Sequence, residues 1–448
     1  MPGAARVSEK LSLVTRVAVV AAALPSAAAL AGAFFHEAQS VRSAGRASAG
    51  APVVADDAST IFLNPAGLTR LSGPQLQMGS SLLMPRGEVE DRGSTARTPG
   101  TGGAVVPITG SQKGHPFDPA IMPHAYAALP LVDGRLWFGL GVSAPFGLIT
   151  DYQEDWFGRY DSTKSELTTI DVAPTLAMKL TEWASIGAGL DLQYADATLE
   201  NAVPSPTAPG GPSPATDGRF RAQGDDWSVG FNVGLLVTPT PRTRVGLQYR
   251  SGIEHELKGD ASLSGLAPPL DLQNGTAGAS AELDLPAMAS IGVAHDVTPH
   301  LTLLGHVAWY GWDSFDEIRV RFDDSRADVV EPQNYRDTWA IGLGAEYRLT
   351  DVWTLRGGVS YDQTPTRDAF RNTRVPDGDR YWISIGASYE LSDRIGFDVA
   401  YGHRFFENTD IDRTRTFFEG LGLDSDIRTS ARAKTDADVV SAALRISF

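Results

Sequence analysis

The chain has 448 residues, 38 Lys+Arg against 54 Asp+Glu, no cysteine, and a formal net charge of −16. The absence of Cys excludes a disulfide scaffold, a thiolate zinc site and a cysteine nucleophile, and the acidic balance argues against a nucleic-acid partner, which would need a basic face. Apolar content of 42% supports a folded chain, yet nothing beyond the first 31 residues approaches the roughly 20 apolar residues of a membrane helix.

In chain order, Arg6, Lys10 and Arg16 precede an apolar run from Val17 to Leu30, and Ala29-Leu30-Ala31 follows the small-x-small cleavage pattern. Residues 1–31 read as a secretory signal peptide. Its removal takes away three basic residues and Glu9, a net +2, and leaves the mature chain near −18.

From about Gln75 onward the pattern is strict alternation, which marks strands with two unlike faces. Leu136, Phe138, Leu140 and Val142 alternate with Trp137, Gly139, Gly141 and Ser143. The same period runs through Ile186–Tyr194, Trp353–Tyr361, Tyr381–Tyr389 and Val440–Phe448. A soluble sandwich would point its apolar face inward, whereas a transmembrane barrel points it at lipid. Aromatics at both ends of apolar faces (Trp353/Tyr361, Tyr381/Tyr389, Trp339/Tyr347) fit two interfacial girdles. The opposite face carries Asp191, Arg356, Glu346 and Asp398, and such charges need a wet lumen. A closed barrel also satisfies every backbone group in lipid.

Connections alternate in length. Short turns are expected near Val132–Arg135, Thr181–Trp183, Pro239–Pro241, Thr298–His300, Thr350–Asp351 and Ser392–Arg394. Long loops are expected near Gly87–Pro116, Leu148–Thr163, Glu200–Asp225, Lys258–Gly278, Phe315–Arg336, Asp362–Asp379 and Asn408–Lys434. These thirteen connections imply 14 strands, with short turns in the periplasm and long loops outside. The Pro/Ser/Ala-rich stretch Val203–Gly218 reads as a mobile loop. Before the barrel, Gly32–Leu71 lacks alternation, and Asp56 or Asp57 could cap a short helix that Pro65 ends. Such a segment is either a tail or a plug; a lumen of 14 strands would otherwise be open, since about eight strands are what side chains can fill.

Several blocks resemble the FadL-type family of outer-membrane transporters of long-chain fatty acids and aromatic hydrocarbons. They are Ala31-Gly32-Ala33-Phe34-Phe35-His36-Glu37, Gly45-Arg46-Ala47, Ala55-Asp56-Asp57-Ala58 and Asn64-Pro65-Ala66 at the start of the mature chain. Further along, Pro145-Phe146-Gly147-Leu148, Gly158-Arg159-Tyr160, Asp377-Gly378-Asp379-Arg380-Tyr381-Trp382 and the terminal Phe448 continue the likeness. The resemblance implies an all-β chain: a transmembrane antiparallel barrel of about 14 strands (74–448) with an N-terminal hatch, or plug, in the lumen (32–73). It assigns Asn64, Pro65 and Ala66 to the hatch. It places a kink and lateral opening in the third strand at Pro145, Phe146 and Gly147, where Pro also removes a ladder donor and Gly weakens the strand. Phe34, Phe35 and Phe62 are ligand-contact candidates, as are Leu266 and Leu270 in a short, Pro/Gly-rich outer loop with Leu263 and Leu272. Arg159 could meet a ligand carboxylate or pair with Asp155 or Asp161.

Eight His residues show no close metal spacing, the Gly-x-Gly pairs lack a nucleotide-loop context, and no Gly-x-Ser-x-Gly elbow occurs. No catalytic residue, metal or cofactor is expected. The expected function is passive uptake of hydrophobic compounds across the outer membrane of a Gram-negative bacterium, through a lumen pocket and a side exit. The rivals are a porin for polar nutrients and a surface-binding barrel without transport. Expected partners are a fatty acid or hydrocarbon, the lipid bilayer with its lipopolysaccharide, and the barrel-assembly machinery.

Overall fold

The structure is a computed structural model that describes residues 33–448 other than Asp133. The signal-peptide stretch 1–31 lies outside the described residues. Fourteen antiparallel strands close into one barrel. They are β1 (Gln75–Asp91), β2 (Ala120–Val132), β3 (Leu136–Ser143, resuming at Gly147–Asp151), β4 (Lys164–Thr181) and β5 (Ala184–Val203). Next come β6 (Gly218–Thr240), β7 (Thr243–Arg250 and Ile253–Ser264), β8 (Gly275–Leu285 and Met288–Asp296) and β9 (Leu301–Tyr310 and Glu317–Phe322). The remainder are β10 (Thr338–Arg348), β11 (Trp353–Asp362), β12 (Arg380–Glu390), β13 (Ile395–Phe406 and Thr409–Phe417) and β14 (Ser425–Ser447). The seam is β1 on β14, in register from Gln75↔Ser447 to Asp91↔Ala431.

The apolar face of the alternation points outward. Leu355 and Ile385 are 41% and 63% exposed, while the intervening Arg356 and Ser384 are buried in the lumen. Cross-strand aromatic pairs mark the girdles: Trp353 with Tyr389 at 4.8 Å, and Tyr361 with Tyr381 at 5.1 Å between centroids.

All thirteen connections fall where the alternation breaks, but the outer loops are shorter than expected. The stretch read as Glu200–Asp225 is open only over 204–217, and Asn408–Lys434 only over 418–424. Beyond the membrane the outward residues become charged, as in Glu254, Glu256 and Lys258. Hydrophobicity no longer marks the strand there, although the ladder continues in water. Nor is 203–218 loose. Ser205 and Ala208 are buried, and Asp217 is locked to Arg159 at 2.8 Å.

Residues 33–71 are enclosed by the wall. Their contacts run around the barrel, to Ser81 of β1, Ala144 at the interruption of β3, Ser185 of β5, Leu235 of β6, Glu346 of β10 and Asp398 of β13. Within the segment lie two single-turn helices, α1 (Val41–Ala44) and α2 (Thr60–Leu63), then a 3-10 turn at Pro65–Arg70. The expected cap at Asp56 or Asp57 is displaced. Ser59 occupies the α2 cap position, Asp57 accepts from the Ser59 amide at 2.9 Å, and Asp56 is turned toward arginines instead. Asn64 separates the two turns and caps the second, with Pro65 at its first position as the proline ring allows.

Candidate transport pathway

The third strand stops pairing with β2 at Ala125↔Val142. Beyond that point β2 residues Ala120–His124 pair only with β1, and Gly147–Asp151 of β3 pair only with β4. The wall is therefore unzipped between β2 and β3 at Ala144, Pro145 and Phe146. An exposed backbone here would be costly in lipid, and the N-terminal segment supplies its partners. The His36 amide donates to Pro145 O at 2.7 Å and the Gly147 amide to Phe34 O at 2.9 Å, flanking a bridge between Phe35 and Phe146. Gln39 grips Ala144 from both sides, donating to its carbonyl at 2.6 Å and accepting from its amide at 3.3 Å. On the other side Thr169 of β4 accepts from the Phe146 amide and donates to its carbonyl. Of the three residues expected at a lateral opening, Pro145 and Phe146 lie in this ladder break and Gly147 is where β3 resumes pairing with β4.

Aromatic rings gather behind the break. Phe146 lies 5.4 Å from Phe35 and 6.2 Å from Phe34, and Phe34 stands edge-on to Trp312 at 4.8 Å and Phe315 at 5.5 Å. Above Phe34 is a cavity of about 80 Å³, bounded by Leu148, Leu167, Leu257, Leu283 and Phe315. A second cavity, of about 70 Å³, is lined by apolar Phe35, Phe62, Leu63 and Tyr310 and by polar Arg250, Glu37 and His306. Consecutive residues Phe34 and Phe35 so face different spaces. A larger groove near Val233, Leu247, Ile291 and Trp339 lies on the lipid side of the wall.

Three of the proposed ligand contacts, Phe34, Phe35 and Phe62, border these cavities; three others do not. The guanidinium of Arg159 is taken up by Asp217 at 2.8 Å, Thr109 O at 2.7 Å and the Tyr160 hydroxyl at 2.6 Å. It pairs with neither Asp155 nor Asp161. Its true partner is 58 positions away, beyond the reach of local reading. Leu266 and Leu270 are buried in an apolar cluster under the outer loops, with Phe220 and Val320, so they offer no open groove; Leu272 is 93% exposed.

Asn64, Pro65 and Ala66 lie against β5, β6 and β7. The Asn64 Nδ2 donates to Pro52 O at 2.6 Å and to the wall carbonyls of Leu235 and Leu247 at 3.2 Å each. Its Oδ1 accepts from the Ala66 amide at 3.1 Å. The wall makes room with glycine. A Cβ at Gly234 would fall 1.9 Å from the Asn64 oxygen, and one at Gly358 would fall 1.9 Å from Arg46 O.

Sequence reading missed two features. One is a buried ionic cluster between segment and wall. Arg42 meets Asp398 at 2.9 Å and Glu390 at 3.2 Å, Arg46 meets Glu346 at 3.0 Å, and Asp56 closes on both arginines. The alternation did expose Glu346, Arg356 and Asp398 as lumen charges, but not their partners. The other is Asp377, in the motif before β12, whose Oδ2 accepts from the Ala33 amide at 3.1 Å and so anchors the start of the described segment.

The profile of the family described as outer membrane protein transport protein (OMPP1/FadL/TodX) matches residues 22–448. The chain belongs to this family. An outer membrane protein of Neisseria meningitidis serogroup B is 31% identical to this FadL-type chain over 95% of it and 96% of that relative. A long-chain fatty acid transport protein of Escherichia coli O6:H1 is 27% identical, covering 88% of this chain and 91% of that protein. The crystal structure of a Pseudomonas aeruginosa FadL homologue superposes with a TM-score of 0.81 at 27% identity, over 93% of this chain and all of that one. The FadL-type chain is thus an outer-membrane transport protein of a Gram-negative bacterium, and the sequence-based assignment of family, barrel and membrane holds.

Proposed function

We propose that the protein takes up hydrophobic compounds passively, by way of the cavity above Phe34 and the break between β2 and β3. The observation that carries this reading is the position of that cavity. Phe34 and Leu148 both line it, and they flank the backbone pairing that covers the break. An apolar solute gains by leaving water for such a site, at roughly 25 cal/mol per Å² of apolar surface. Release sideways then requires only that residues 33–39 withdraw from Ala144–Gly147, which opens the wall toward lipid. The outer loops and lipopolysaccharide supply the solute, the barrel-assembly machinery inserts the protein, and no covalent chemistry, metal or cofactor takes part.

A porin-like route for polar nutrients fits less well, because residues 33–71 fill the lumen with buried ionic and hydrogen-bonded contacts. The test is cellular uptake of a radiolabelled alkane or fatty acid by cells expressing the native protein or Leu167→Trp at equal surface abundance. Uptake should fall severalfold with the cavity filled. Unchanged uptake would remove the cavity from the route.

A further inference from the structure

Transport of a hydrophobic solute leaves open whether that solute carries a charge. The cavity above Phe34 has one guanidinium on its wall, Arg374, and the second cavity has one, Arg250. Both are already committed to the protein. Arg374 meets Glu331 through Nε at 3.1 Å, Ser165 Oγ at 3.1 Å and the Asn201 side-chain oxygen at 3.0 Å, with backbone carbonyls of Lys164 and Glu200 at 3.3 Å. Glu331 is shared with Arg413 at 3.1 Å. Arg250 lies between Asp191 at 2.6 Å and Asp171 at 3.3 Å, donates to Phe62 O, and covers the Phe62 ring at 4.4 Å. Arg159, the cation that sequence suggested for a carboxylate, is closed off by Asp217. The rim carboxylates Glu166 and Glu282 are met by Lys164 at 2.9 Å and Arg321 at 2.6 Å.

We propose that Glu331 and the Asp171–Asp191 pair are specificity-determining residues: by neutralising the cavity guanidinium groups from within the protein, they favour uncharged apolar solutes over carboxylates of equal chain length. This rests on the cavity being the ligand pocket. An ionised carboxylate entering it gives up its hydration and finds every guanidinium partnered by a buried acid. To pair with Arg374 it must displace Glu331, leaving that buried carboxylate short of a partner. A neutral alkyl chain leaves the ion pairs intact.

The experiment uses the full protein in lipid nanodiscs and equilibrium dialysis of radiolabelled n-decanol and decanoate at about pH 8, where a fatty carboxyl is ionised. Leu257→Trp and Leu283→Trp, which fill the cavity, define the background, and two blocking variants guard against one failing to fold. Cavity-dependent binding of decanol should be at least about tenfold tighter than that of decanoate, the scale of one charged hydrogen-bonding group left unpaired. Glu331→Gln should free Arg374 and narrow the ratio severalfold through tighter decanoate binding, while Glu331→Asp should preserve it. Should Glu331→Gln fail to fold, Asp191→Asn applies the matching test at Arg250 in the second cavity, with Ala308→Trp, which fills that cavity, setting its background. Cavity-dependent decanoate binding as tight as that of decanol would overturn the selectivity and leave the pocket standing. Binding of both probes that ignores both blocking variants would overturn the pocket itself.

Discussion

The Asn64 side chain joins three parts of the molecule, since its Nδ2 reaches Pro52 O within the segment and carbonyls on β6 and β7, while its Oδ1 caps the following turn. Asn64→Ala removes all of these and should loosen the segment by about 1–3 kcal/mol. Hydrogen exchange over residues 50–70 should speed up while β-strand protection stays, and uptake should fall. Equal loss of protection in the strands would mean that Asn64 supports the barrel as a whole. Glu331 allows a second test at this scale. Burial alone would raise its pKa, but Arg374, Arg413 and Arg415 outweigh burial and hold the carboxyl down to about 2, against an ordinary 4.5. A folded value below the unfolded one means that the group stabilises the outer loops fully above about pH 4.5, and that this contribution is lost as pH falls toward 2. Pepsin cleavage of the 323–337 connection should therefore climb across that window in the native protein and climb less in Glu331→Gln. An equally steep rise in both would place the acid sensitivity elsewhere.

At the scale of the element, the interrupted third strand is a break kept in place by other parts of the chain. Pro145 offers no amide, and the groups beside it are satisfied by Phe34, His36, Gln39 and Thr169. Pro145→Val with Gly147→Val should let β3 run straight and pair with Ala120–His124 of β2. The expected result is uptake near background with ligand binding to purified protein retained; uptake at the native rate would make passage straight down the lumen the better account. The break shows what a sequence reveals. Pro145 and Gly147 announce it because they act on their own backbone, and the alternation announces the strands because lipid acts on every second residue. Apart from those of Thr169, the bonds that fill the break come from residues more than a hundred positions upstream. So does the Gly234 and Asn64 contact, in which the wall carries no side chain at all. Arg159 was legible as a charge needing a partner, yet Asp217 sits at the end of a stretch whose composition suggests only looseness. Local patterns fix strands and turns, and long-range pairing decides which charges remain free for a ligand.

At the scale of the whole molecule, the enclosed segment divides into a near part, residues 33–39, paired to the wall break, and a far part held by ions and by Asn64. Arg42 and Arg46 lie between carboxylates of β10, β12 and β13, and breaking buried pairs of this kind is expensive. The near part is held by Asp377, by Gln39, by two backbone bonds at the break, and by the hydroxyls of Ser81, Tyr126 and Tyr310, which donate to Ala38 O, Gln39 O and the Glu37 carboxylate. Release of a solute should therefore require movement of the near part alone, with the far part fixed as a base. The chain has no native cysteine, so engineered disulfides can test this directly. Thr69 and Ser185 touch through their hydroxyls at 2.7 Å, and Thr69→Cys with Ser185→Cys ties the far part to β5. Phe35 and Phe146 face each other across an antiparallel bridge, and Phe35→Cys with Phe146→Cys ties the near part to the break. The first disulfide should leave uptake of a hydrophobic substrate close to that of its reduced form. The second should block uptake when oxidised and release it on reduction, which separates the crosslink from the loss of two phenyl rings. Blockage by both would show that the whole segment must move, and blockage by neither would show that the solute does not pass the break.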